Sequence, residues 1–370
     1  MWRIVRPDSL EVWGNELVRS RLSRYYGILK GIFLPKFKLT KLIPVSVSMD
    51  SSEEVLWSEH RRVSRIFNEL LKDLDEGKSS PADIEAPLRS TYLDLKIELG
   101  RRIAQNCHLC ERRCGINRLK DEKGFCRVGR QALVSTSFLH MGEESVLVPS
   151  GTIFLSGCNF GPCVFCQNHD ISGDPDNGKA VSPLNLADMA SALKKEGARN
   201  INWVGGSPTP NLHNIVESMK YLEVDICQLW NSNFYMSTES MELLLDLFDF
   251  WLPDMKWYGD ECALKYSRVP NYWSVVSSNH TAVHDRGGGE MIVRHLVMPG
   301  HVECCSKPIL GWISKNLPKA LVNVMAQYHP AYLVPSNKEF IEINRRPSQD
   351  EVQEAHKYAD QLGLLWRPVS

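Results

Sequence analysis

Residues 151–172 read GTIFLSGCNFGPCVFCQNHDIS: an apolar, β-type run, a glycine, and then three cysteines within nine positions, Cys158, Cys163 and Cys166. Their spacing is four residues and then two. An odd number of thiols so close together cannot pair off as a disulfide framework. Soft thiolates suit iron–sulfur clusters and zinc. A cubane cluster normally takes four cysteines, so three would leave one iron open to an exchangeable ligand. A single zinc ion would need a fourth donor, for which His169 is the nearest candidate.

Downstream, short β-rich runs alternate with helical patterns. Strands are expected at GTIFLSG, RNINWVGG, DICQLWNSN, FDFWLPDMK, EMIVRHLVMPG and ALVNVMAQY. Helices are expected at PLNLADMASALKKEGA, from about 211, at STESMELLLDLF, across 260–283, at CCSKPILGWISKNL and at SQDEVQEAHKYADQLG, where Ser348 is placed to cap. Six strand–helix units imply a parallel sheet with crossovers of one hand. Six is short of the eight of a closed barrel, so the expected architecture is α/β, an incomplete (β/α)6 barrel.

In parallel α/β folds the chemistry sits at the C-terminal strand ends. Cys158, then Gly205, Gly206 and Ser207, then Asn231, Ser232 and Asn233, then Asp254 and Lys256 all fall there. Arg294 and His295 follow late in the fifth strand. Being adjacent on a strand, only one of them can face inward, and His295 is taken as the candidate.

A second cysteine group, Cys107, Cys110, Cys114 and Cys126, is spaced two, three and eleven, with Arg112, Arg113, Arg118 and Arg127 around it. Four thiols with a short knuckle signal metal, an auxiliary Fe–S cluster or a structural zinc. Cys227 and Cys262 read as core or helix cysteines, and His301, Cys304 and Cys305 as structural. Further upstream, SSEEVLWSEHRRVSRIFNELLKDLDEG reads as a helix with Val63, Ile66, Phe67, Leu70, Leu71 and Leu74 on its apolar face. A second helix is expected over about 86–105, with Leu88, Tyr92, Leu95, Leu99 and Ile103 on one face. From Met1 to Lys41 there are nine Lys/Arg against three Asp/Glu, read as a solvated arm or docking segment. The divisions expected are 1–105 (arm and helical extension), 106–148 (cysteine-rich), 149–335 (partial barrel) and 336–370 (closing helix).

The bulk properties agree with an ordinary soluble chain: 24% charged, 43% hydrophobic, net charge −1. That charge gives no reason to expect nucleic acid or an anionic membrane as partner. The N-terminus lacks a signal peptide's apolar core, and no window is long enough for a membrane span. A reducing cytoplasm is expected, where eleven cysteines are thiols or metal ligands.

Taken together, GCNFGPCVFCQN, CHLCERRCGINRLKDEKGFCRVG, VGGSPTPNL, LWNSNFYMS, LPDMKWYGDECALKYSRVPNYW and VRHLVMPGH resemble radical S-adenosylmethionine (radical SAM) enzymes. The resemblance is to the branch of glycyl-radical-enzyme activases, the pyruvate formate-lyase activating enzyme-like iron–sulfur proteins, over about 105–335. It implies a [4Fe-4S] cluster on Cys158, Cys163 and Cys166, with SAM chelating the fourth iron. Reduction would yield methionine and a 5′-deoxyadenosyl radical that abstracts hydrogen, in activases from a protein glycine. It implies an electron donor such as flavodoxin or ferredoxin. Phe165 would lie against the adenine, and Asp254 and Lys256 would contact SAM; Asn231 could hydrogen-bond it or stabilise its strand end. Two departures stand out. The family's spacing is three then two, and its glycine motif ends in glutamate where Ser207 stands. A glutamate restored at 207 is expected to tighten SAM binding. A degenerate, non-catalytic metal-bound scaffold and a radical enzyme acting on a small molecule remain the alternatives.

Overall fold

The computed structural model describes residues 2–81, 84–85, 87, 89–286 and 290–370. Its sheet begins with two strands that the sequence did not reveal. β1 (Ala132–His140) lies antiparallel to β2 (Ser150–Leu155), pairing Phe138 with Thr152, and β3 (Lys179–Val181) flanks β1 at the edge. From β2 the sheet runs parallel through β4 (Asn200–Gly205), β5 (Cys227–Ser232) and β6 (Phe250–Pro253). β7 (Ile292–Leu296) and β8 (Leu321–Met325) pair in parallel. Single bridges from Trp251 to Met291 and from Asp254 to Arg294 join β7 to β6. The chain is therefore a mixed α/β protein with a mainly parallel sheet. The six parallel strands coincide with the six read from the sequence.

The crossover helices begin where polar caps place them. Ser182 and Ser348 form reciprocal capping boxes with Asn185 and Glu351, opening Pro183–Lys195 and Gln349–Gln361. Ser237 caps Thr238–Leu245. The helix Asp260–Ser267 is followed by Tyr272–Arg286, and Val302–Ser306 forms a π-turn ahead of Lys307–Asn316.

The N-terminal region departs from expectation. The segment read as a solvated arm is packed. Trp13, Val18, Leu22, Tyr25 and Ile28 share one apolar cluster with Cys227 and Leu229 of β5, Phe250 and Leu252 of β6, Ile292 of β7 and Leu321 of β8. Glu290 fixes it by accepting from the backbone N–H groups of Arg24 (2.5 Å) and Tyr25 (2.8 Å). The physical reason is amphipathicity: the many cations sit between apolar residues that burial rewards, at about 1.5–3 kcal/mol per large side chain. The long helix is found as Glu53–Asp75 with Ser52 as its cap. Val63 and Phe67 are buried, while Ile66 is exposed. The second helix starts at Tyr92, later than expected, because Thr91 and Asp94 form a capping box there. Leu88 lies outside the described residues. Both helices are tied to the end of Thr238–Leu245 by Asp246, which accepts from Ser64 Oγ and Tyr92 Oη, each at 2.7 Å. Among the described residues no helix is long and apolar enough to cross a membrane.

Candidate functional site

Side chains alternate along a strand, so the strand faces that carry the apolar plug near their starts carry different residues near their ends. Two positions on from Leu229, Leu252 and Ile292 stand Asn231, Asp254 and Arg294. These line a cavity of about 490 Å³ at the C-terminal ends of the parallel strands. Cys158, Cys163, Cys166, Phe165, Gly205, Gly206 and Lys256 line the same cavity. Residues scattered over a hundred positions thus converge.

The cysteine loop is shaped by Gly161. Its φ is +64°, its N–H donates to Cys158 O at 3.2 Å, and a side chain there would strike the Phe125 ring. The extra residue of the four-then-two spacing is absorbed in that turn. Each thiol has a polar neighbour: Cys163 Sγ lies 3.1 Å from Ser267 Oγ, Cys166 Sγ 3.3 Å from Ser172 Oγ, and the Phe160 N–H 3.4 Å from Cys158 Sγ. Burial pushes the three thiols up, Cys163 to about 12. A thiolate formed there would be left uncompensated by water, and a bound metal is one group that would offset its charge. Phe165 meets Trp257 and Tyr328 edge-on. His169 is exposed and stacks on Tyr332.

The same cavity holds a charged cluster. Arg294 lies 2.9 Å from an Asp254 carboxylate oxygen and donates to Asn231 Oδ1 at 2.5 Å, while Lys256 pairs with the other Asp254 oxygen. Burial pushes Asp254 up, but the Arg294 and Lys256 charges outweigh it and hold the carboxyl below its usual value.

Two expected residues are elsewhere. His295 points away from the cavity: Nδ1 lies 2.9 Å from Met255 O and Nε2 2.8 Å from Ser306 Oγ. Arg294 takes the inward position, because strand alternation allows only one of the pair there. Ser207 is buried behind the wall, its N–H on Gly157 O at 2.9 Å and its Oγ 3.4 Å from Thr209 N. The sequence also gave no signal for Glu143, which joins the cavity wall from the turn after β1 and accepts from Asn202 Nδ2 at 2.9 Å. Nor did it point to Ser172 and Ser267, whose positions depend on packing between distant segments.

The second cysteine group lies close by. Arg112 reaches from it to the Asn159 carbonyl (3.1 Å) in the cysteine loop, with its guanidinium 3.8 Å from the Phe125 ring centre. Arg118 donates to Cys107 Sγ and Cys126 Sγ, both at 2.9 Å. Burial, with the other three cysteines adding to it, pushes Cys110 up to about 12.

A parallel-rich α/β sheet with a three-thiol loop after its first parallel strand, and charged residues from the later strands lining the same cavity, is consistent with a radical SAM fold. The radical SAM superfamily profile matches residues 152–312. A protein of Methanocaldococcus jannaschii, the uncharacterized protein MJ0674, is 41% identical over 349 residues, covering 93% of this chain and 98% of its own. The chain belongs to the radical SAM superfamily, whose enzymes carry a [4Fe-4S] cluster and use SAM. The donor set fits both groups: three thiols face one cavity, and its volume falls within the range that holds a small-molecule cofactor.

Proposed function

We propose that this chain is a radical SAM oxidoreductase in which Cys158, Cys163 and Cys166 hold the cluster, on a sheet that curves as an incomplete (β/α)6 barrel. The observation that carries it is the convergence of those three thiols with Asp254, Lys256, Arg294 and Asn231 around one cavity. When bound and reduced, the cluster supplies the electron that cleaves SAM to methionine and a 5′-deoxyadenosyl radical. The protein's own residues bind and orient. Lys256 and Arg294 present positive charge to a carboxylate, Asp254 and Glu143 present negative charge to an ammonium or ribose, and Gly205 and Gly206 offer backbone carbonyls. Phe165 offers an apolar face to the adenine. Preorganised pairs of this kind fix a ligand without further reorganisation.

For the hydrogen donor, the resemblance to activases favours a backbone glycine of another protein, with flavodoxin or ferredoxin as electron source in a cytoplasmic setting. A second reading is a small polar molecule. It is favoured by a neighbouring cavity of about 680 Å³, which shares Glu143 and Arg294 with the first and adds Glu144, Arg6 and Asn323. The second cysteine group is read as holding an auxiliary Fe–S cluster or zinc.

Anaerobic reconstitution, reduction and addition of SAM tests the reading. Formation of 5′-deoxyadenosine supports it. A reconstituted, reduced protein that binds SAM without cleaving it would instead be the non-catalytic scaffold.

A further inference from the structure

The helix Asp260–Ser267 and the π-turn Val302–Ser306 meet at a point that neither the cysteine loop nor the second cysteine group explains. There Cys262, His301 and Cys304 bring their donor atoms within 4.8 Å of one another. We propose that these three side chains form a zinc site, with the Cys305 thiol as the nearest further donor.

The geometry suits one tetrahedral ion. Two sulfurs each 2.3 Å from such an ion stand about 3.8 Å apart, a spacing that fits within the 4.8 Å that bounds the Cys262, His301 and Cys304 donor atoms. His301 is oriented for the task. Its Nδ1 lies 2.9 Å from the Pro299 carbonyl, which fixes the proton on Nδ1 and leaves Nε2 as donor atom. Trp257 and Tyr266 meet the imidazole edge-on at 5.6 and 5.1 Å, holding the ring in place. A π-turn widens the helix by one residue, and such turns concentrate at functional sites. Here it follows directly on His301 and carries Cys304. Two thiolates with one imidazole are a soft set that suits zinc better than magnesium or calcium.

The site has a job to do. Tyr266 O, on the same helix as Cys262, accepts from the Val164 N–H in the cysteine loop at 2.9 Å, and Ser267 Oγ touches Cys163 Sγ and Trp257 Nε1. An ion joining Cys262 to His301 and Cys304 would brace the helix against which the cysteine loop rests. It would be a structural metal, separate from the cluster.

The test is metal content of the full-length reconstituted chain loaded with Zn²⁺, comparing wild type with Cys262→Ser/Cys304→Ser. Iron serves as internal control. The double variant is expected to lose about one zinc per chain while keeping its iron, and Co²⁺-loaded wild type is expected to show thiolate-to-cobalt absorption that the variant lacks. Equal zinc in both proteins would overturn the site. Cys304→Ser alone, at an exposed position, separates ligand loss from misfolding. With native circular dichroism it should bind zinc at least about tenfold more weakly, since even changes behind a ligand weaken metal binding that much. Wild-type zinc affinity in that folded variant would overturn the proposal, as would a Cys304–Cys305 disulfide in place of metal.

Discussion

Arg294 on β7 bridges Asp254, the residue just past β6, and Asn231 on β5, reaching across the sheet into the cavity while its neighbour His295 faces the opposite way. The pair with Asp254 is largely withdrawn from water, with side-chain exposures of 17% and 14%. Breaking a buried pair by removing one partner costs about 3–5 kcal/mol. Because Lys256 would still neutralise Asp254, Arg294→Met should sit near the low end, about 3 kcal/mol by urea unfolding. Arg294→Met combined with Asp254→Asn should lose less than the sum of the two single changes. Strict additivity would show that the two groups do not interact.

Cys163 lies at the centre of the cysteine loop, 7% exposed, with Ser267 behind it. Cys163→Ala should abolish the EPR signal that changes on SAM addition to the reduced protein. An unaltered signal would mean that the cluster is held elsewhere.

Replacing Cys158, Cys163 and Cys166 together by Ala should leave metal on the second cysteine group. Adding Cys110→Ser to that variant should then remove that group's metal, about one zinc or the several irons of a cluster, as loss of a ligand from a four-thiol site does. Elemental analysis distinguishes iron from zinc. If the Cys110 change removes neither, that group holds no metal.

What the sequence made legible follows from the range of the forces involved. The six parallel strands and their helices are marked by local periodicity and by caps such as Ser237 and Ser348, which lie next to the residues they organise. The cysteine loop is likewise local. β1 escaped notice because it pairs antiparallel and is followed by a turn rather than a helix, so it breaks the alternation that revealed the others. The N-terminal segment was misread because its charge is local but its apolar partners, Leu229, Phe250 and Ile292, are two hundred or more residues away. Arg294 and His295 could not be told apart for the same reason: strand phase is fixed by sheet pairing, not by the dipeptide.

The acid limb of stability should carry the mark of Glu59. Its carboxylate accepts from Ser46 N at 2.7 Å and Ser46 Oγ at 2.8 Å and pairs with Arg62, and the Arg62 hydrogen bond foremost holds it down at about 2. A folded-state pKa below the unfolded one stabilises the protein above the unfolded value, near 4.5, and that contribution is lost as pH falls through about 2. Arg62 is partly exposed, so screening reduces the gain to about 1–2 kcal/mol. Glu59→Gln should lose that amount at pH 7 and show a shallower fall in stability between about pH 4.5 and 2. Parallel pH profiles for the two proteins would contradict this.

Ser207 is the sharpest test of how the cavity meets its ligand. By its place in the glycine motif it should face SAM, and a glutamate there should strengthen the contact. The fold argues otherwise. Ser207 is 2% exposed and lies outside the cavity wall, while Glu143 and Asp254 supply the carboxylates that line it. Ser207→Glu would place a carboxylate at a buried position beside Thr209, away from the cations that line the cavity. An unpaired buried charge costs several kcal/mol, so the variant should lose on the order of 3 kcal/mol of folding stability and gain nothing in SAM affinity. Ser207→Ala should give up only the weak 3.4 Å bond to Thr209 N, about 0.5–1 kcal/mol, and should bind SAM as wild type does. Equilibrium binding of SAM to the reconstituted proteins, beside their urea unfolding curves, decides the matter. Tighter binding in a stably folded Ser207→Glu would show that this side chain turns into the cavity when SAM is present.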